Sequence, residues 1–165
     1  MEQKQAERGG MSPTAVRHQY RMLALNLAAG LAIMYLAMFA MIWSFGEFVQ
    51  NLNFFYMALV MWAPMGIVMI LTMGSMLTDL RLNLLLNAAF ALLFVLGFAA
   101  LRAQALVGDR AFLESMIPHH SGALTMCNRA SLRDLEVREL CFGPNGIIES
   151  QSREIRQMEA ILRRL

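Results

Sequence analysis

The sequence predicts an all-α protein in which three transmembrane helices precede a soluble antiparallel helical hairpin. Three observations carry that expectation. Three uncharged apolar runs, each long enough or nearly so to cross a bilayer core, fall before position 102. Residues 105–165 are polar by contrast and show a 3.6-residue apolar period in segments separated by glycine and proline. Over the 165 residues, 58% are hydrophobic and the mean hydropathy is +0.48, a surplus over an ordinary soluble domain that lies almost wholly in the first part.

Residues 1–21 are polar, carry Lys4, Arg8, Arg17 and Arg21, and hold Gly9, Gly10 and Pro13, which predicts a disordered tail. The first run, 22–45, has no ionisable residue and exceeds the core of a signal peptide. A short link, 46–52, holds Glu47 and no base. The second run, 53–77, contains Pro64, where a kink is expected. A tight turn at 78–83 with Asp79 and Arg81 leads into the third run, 84–101.

Three spans place the termini on opposite sides of the membrane. Basic residues favour the cytoplasm, and they lie before the first span and in the second loop, so the N-terminal tail is expected in the cytoplasm and 105–165 outside. Arg102 and Arg110, just after the third span, run against that bias without reversing it. In a bacterium the expected location is the inner membrane, with lipid around the spans and the hairpin in the periplasm.

Gly108 followed by Asp109 reads as a helix stop and an N-cap, predicting a helix from 109 to about 131. A second helix is expected from Asp134, interrupted by Gly143-Pro144-Asn145-Gly146 and resuming over 147–165. On a helical wheel, Leu113, Met116, His120, Leu124 and Cys127 share one face with Phe112, Ala123 and Ala130 alongside; Glu114, Ser121, Thr125 and Arg129 take the solvated side. The later helix aligns Ile147, Gln151, Ile155, Met158, Leu162 and Leu165, with Glu154 beside them. Antiparallel packing would bring Met116 near Met158, and His120 near Glu154 or Gln151.

A carboxylate buried without a partner costs several kcal/mol, so Glu154 must face a histidine, a cation or a wet gap. One reading is a His120–Glu154 hydrogen bond that fixes the packing of two helices. The other is a metal site. His119, His120, Met116, Met126, Met158 and Cys127 offer imidazole and sulfur donors suited to copper, while Gln151 and Glu154 add oxygen and extend the choice to zinc or iron. Cys127 and Cys141 are the two cysteines, and a disulfide or a pair of thiolate ligands is open to them.

Asp109, Phe112-Leu113, the run Met116-Ile117-Pro118-His119-His120, Ala123, Met126, Leu140-Cys141, Ile147-Ile148, Ser150-Gln151, Glu154-Ile155 and Met158 form a pattern that resembles the bacterial family called domain of unknown function 305. The resemblance implies a ferritin-like half bundle and, because some soluble members are implicated in periplasmic copper binding, makes His119, His120, Met116, Met126, Met158, Gln151 and Glu154 the candidate site. The run Phe142-Gly143-Pro144-Asn145-Gly146 departs from that family, in which one continuous helix is usual, and leaves the place of Cys141 open.

Fifteen methionines are several times the usual share. Met57, Met61, Met65, Met69 and Met73 recur at every fourth position of the second run, which suits a thioether ladder for Cu(I) or gap-filling between helices. The net charge of +2, with scattered bases, excludes a nucleic-acid footprint. The Glu-x-x-His pairs of di-iron enzymes are absent from the sequence, so no catalysis is expected. The expected function is membrane-anchored, extracytoplasmic copper sequestration or handling. The alternative is a non-catalytic interaction module in which two hairpins form a homodimeric four-helix bundle.

Overall fold

The computed structural model describes residues 13–165. Six helices follow in order: α1 (Pro13–Ala37), α2 (Leu52–Thr72), α3 (Leu80–Ala103), α4 (Asp109–Arg129), α5 (Leu135–Phe142) and α6 (Ile147–Leu162), with a 3-10 turn at Phe45–Glu47 and no strand among the described residues. The first three are long and apolar enough to cross a membrane.

The first helix begins earlier than its apolar run. Residues 1–12 of the expected tail lie outside the described residues, but 13–21 are the opening turns of α1, with Pro13 at the first helical position where its fixed φ and missing N–H do no harm. Hydropathy locates the membrane-compatible stretch; it does not locate the ends of a helix. At the other end α1 stops at Ala37, eight residues before the apolar run does, and the chain tightens through i to i+3 bonds such as Met38 N to Tyr35 O. Ser44 and Glu47 then form a capping box: Ser44 Oγ accepts from Gly46 N, and Glu47 Oε2 accepts from Ser44 N. Asn51 caps α2 through Phe54 N, and Asp79 caps α3 through Leu82 N.

The second helix is the centre of this three-helix group, packing on α1 and more extensively on α3. Close approach to α3 depends on Gly66, where a Cβ would meet the Phe90 ring at 2.8 Å. On the α1 side, Trp62 Nε1 donates to Leu27 O at 2.7 Å, and Met65 fills the space above Gly30. The methionine row therefore winds from the exposed Met57 and Met61 into the α1–α2 seam, where Met69 and Met73 pack against the core of Leu23, Leu27, Ala63, Ile70, Leu77 and Phe90. Pro64 lies inside an unbroken α2.

Beyond these three helices, α4 and α6 pack side by side around Leu113, Ile117, Leu124, Ile155 and Met158. Phe112 sits beside Ile161 and His120 beside Glu154, so the two helices run antiparallel. Gly108, not Asp109, is the N-cap of α4; Asp109 occupies its first turn, where a negative charge meets the helix dipole. Asp134 caps α5 through Val137 N. The breaker at 143–146 ends α5 and starts α6, and a Cβ on Gly143 would stand 2.5 Å from Glu139 O, which leaves room only for glycine.

Candidate metal site

Two helical turns into the α4–α6 seam, His120 Nδ1 approaches Glu154 Oε2 at 3.0 Å. Their side chains are 13% and 46% exposed, so the imidazole is largely enclosed and the carboxylate half in water. The distance is that of an ion pair, yet the buried Nδ1 has no aligned hydrogen-bond partner. The two descriptions agree once direction is considered: the carboxylate is close but off the axis along which the ring would donate. Burial pushes the His120 pKa below its usual 6.5, outweighing the upward pull of Glu154, while His119 adds a smaller push in the same downward direction.

His119 is exposed, and its ring centroid stands 6.0 Å from that of His120. Met116 is half-buried and Met158 buried in the same hydrophobic cluster, as the antiparallel register predicts. Gln151 lies half-buried one turn before Glu154 on α6. Met126 is 60% exposed, two turns beyond His119 on the outer side of α4. Among the described residues no three His, Cys, Asp or Glu side chains come together as a metal-binding group.

Two expectations are corrected here. Cys127 is not a free thiolate donor: its sulfur is bonded to Cys141, tying the end of α4 to α5, and both residues are buried. The disulfide also fixes the position that the extra loop residues left open. Phe112, expected beside the buried face, is 50% exposed because α6 covers only the sector of α4 that contains Leu113, Ile117 and Leu124.

Sequence reasoning missed a second contact. Ser121, placed on the solvated side of α4, is fully buried: Trp43 N donates to its Oγ at 2.6 Å, and the hydroxyl donates to Glu47 Oε2 at 2.5 Å. Arg129 lies over the Trp43 ring at 5.6 Å, and Val49 joins the α4–α6 cluster. The first loop is therefore a seat for the hairpin, not a mere link. The readable signal was the Ser44-x-x-Glu47 capping box, which fixes the loop and aims its carboxylate.

An uncharacterized protein of Acanthamoeba polyphaga mimivirus is 34% identical over 123 residues, covering 72% of this chain and 76% of the viral one. That stretch is longer than 96–165, so the likeness includes part of the apolar helices. No solved structure matches the chain. Residues 96–162, which run from the last turns of α3 through α6 and contain every candidate ligand, match the family model of the domain of unknown function DUF305, and the chain belongs to that family.

Proposed function

We propose that this protein is a membrane-anchored, extracytoplasmic metal-binding protein that sequesters or hands on copper, with zinc or iron as the other ions its donors suit. The observation that carries the reading is the His120–Glu154 pair. A structural hydrogen bond would be aligned and dry. This pair is close but misaligned, half-open to water, flanked by a second imidazole on His119 and backed by the thioethers of Met116 and Met158. The donors fit the ion: neutral imidazole and thioether are borderline-to-soft ligands, and a lowered His120 pKa keeps that ring deprotonated around neutrality. Gln151 supplies a further oxygen, and Met126 stands farther out as an entry donor.

On this reading α1 to α3 anchor the hairpin among membrane lipids, and the hairpin is a ferritin-like half bundle. The buried Cys127–Cys141 disulfide supports an oxidising compartment, which agrees with bases before α1 and at Arg81 facing the cytoplasm. In a bacterium the location is then the inner membrane with the hairpin in the periplasm. The test is titration of the purified full chain with Cu(I), Cu(II) and Zn(II) beside H119A/H120A. Binding abolished by the double substitution is expected; equal binding by both proteins, or none by either, would sink the proposal.

A further inference from the structure

One side of the hairpin is covered by the first loop, through Ser121, Glu47, Val49 and Trp43, and the other side is open. On that open side α4 presents Phe112, Met116, His119, Ala123, Met126 and Ala130. Their steps of four, three, four, three and four are those of a helix seam that packs against another helix. Phe112, His119, Met126 and Ala130 are exposed and Met116 and Ala123 half-buried, yet the row contains no permanent charge, whereas Arg110, Glu114 and Arg129 all lie elsewhere on α4. An exposed stripe without charge is unusual on a soluble domain.

The neighbouring row continues the pattern. Ile147, Gln151, Glu154, Met158, Ile161 and Leu165 follow the same steps along α6 and its last turn, Met158 lying beneath the surface. Because α4 and α6 run antiparallel, the middles of the two rows coincide, and there sit the polar groups: His119, Gln151 and Glu154. Apolar ends flank a polar middle on both helices. A surface so arranged is complementary to itself under a two-fold axis through that middle, which places each polar set opposite its own copy.

Resting on the metal-binding reading above, we infer that a second copy of this chain docks on the open face of α4 and α6, and that the metal is held between the copies by His119, His120 and Glu154 of both. One chain offers too few converging donors: His120 and Glu154 are in contact and no third His, Cys, Asp or Glu completes a group among the described residues. Two copies double the set. Each row is about 27 Å long, and two helices are roughly 20 Å wide, so the dimer would bury on the order of 1,000 Å² in total. That is near the threshold for a specific interface, and confinement of both copies to one membrane raises their effective concentration.

The experiment compares full-length wild type, F112E/A130E and E154Q in lipid nanodiscs or detergent, measuring mass by native mass spectrometry and the ratio of bound Cu(I) or Zn(II) to chain. Phe112 and Ala130 are exposed, so glutamates there stay solvated in a single chain and retained helicity and disulfide content report that it is folded. Wild type is expected to be a dimer that binds metal between its chains. F112E/A130E is expected to be a monomer with metal affinity reduced about tenfold or more although every proposed ligand is present, and E154Q a dimer with weakened binding. A charged-face variant that stays dimeric overturns the docking. A monomeric variant that keeps full affinity overturns the shared site while leaving the metal-binding reading intact; a wild-type dimer that binds neither ion overturns the shared site and that reading together, leaving only the docking.

Discussion

At the scale of single residues, His120 is governed by two opposed influences of unequal size. Enclosure between α4 and α6 disfavours its charged form more than Glu154 favours it, so its folded pKa lies below the unfolded value. The folded state therefore binds fewer protons than the unfolded one across the window between those two values. Its contribution to stability is complete above the unfolded pKa near 6.5 and declines as the pH falls through that window. Replacing Glu154 by glutamine removes the upward influence and leaves desolvation and His119 acting together. The expected result is a further fall of the His120 pKa in E154Q, read from the ring-proton shifts of a histidine NMR titration. A rise would mean that the carboxylate is not what sustains the charged form. The meeting of these two side chains was legible in the sequence, because a 3.6-residue period and a short turn suffice to set the register of two antiparallel helices. The balance between burial and charge was not, since it depends on how much of the imidazole α6 covers.

At the scale of elements, α5 depends on a covalent tie. It has eight residues, too few for a helix to persist in water unaided, and Leu135, Leu140 and Phe142 on it are exposed. Cys141 is its buried residue, bonded to Cys127 fourteen positions earlier, and closure of a loop of that size is worth about 3 kcal/mol in the chain-entropy description. Cys141→Ser should lower the stability of the hairpin by an amount of that order, observed as a lower melting temperature, and should make 130–146 the first segment cut by limited proteolysis. Reductant should act on the wild type in the same direction and leave the variant unchanged; a reductant effect of equal size in both would show that the tie is not the cause. The starts of α5 and α6 could be read from Asp134 and the breaker at 143–146, which are local signals, whereas Asp79, expected within a tight turn over 78–83, is the N-cap of α3, which begins at Leu80. The start of α1 could not be read in this way. Polarity marks where a membrane-compatible stretch ends, and α1 extends through Arg17 and Arg21 outside that stretch.

At the scale of the whole molecule, the question is how the α4–α6 hairpin is held relative to the three helices that are long and apolar enough to cross a membrane. The connection from α3 to α4 is a short covalent link, 104–108, and alone would leave the hairpin free to swing. The first loop supplies the second point of attachment. Ser121 Oγ accepts from Trp43 N and donates to Glu47, whose carboxylate also accepts from Ser44 N, and Arg129 covers the Trp43 ring. Nothing in a helical wheel reveals this, because the loop lies some seventy-eight positions away and serine on an outer face ordinarily meets water. Ser121→Ala removes only the hydroxyl and leaves the part-buried Trp43 N–H without its acceptor and Glu47 without one of its donors, at a cost of about 1–3 kcal/mol. The loss falls on the contact between hairpin and loop, since the α4–α6 core and the disulfide lie on other sides of α4. Amide hydrogen exchange should therefore accelerate at Trp43 and through 41–49 in S121A, while protection of the α4 and α6 amides around Ile117 and Ile155 is retained. Acceleration of both regions together would mean that the hairpin and its seat unfold as one unit, and unchanged exchange at Trp43 would mean that Ser121 does not hold the hairpin in place.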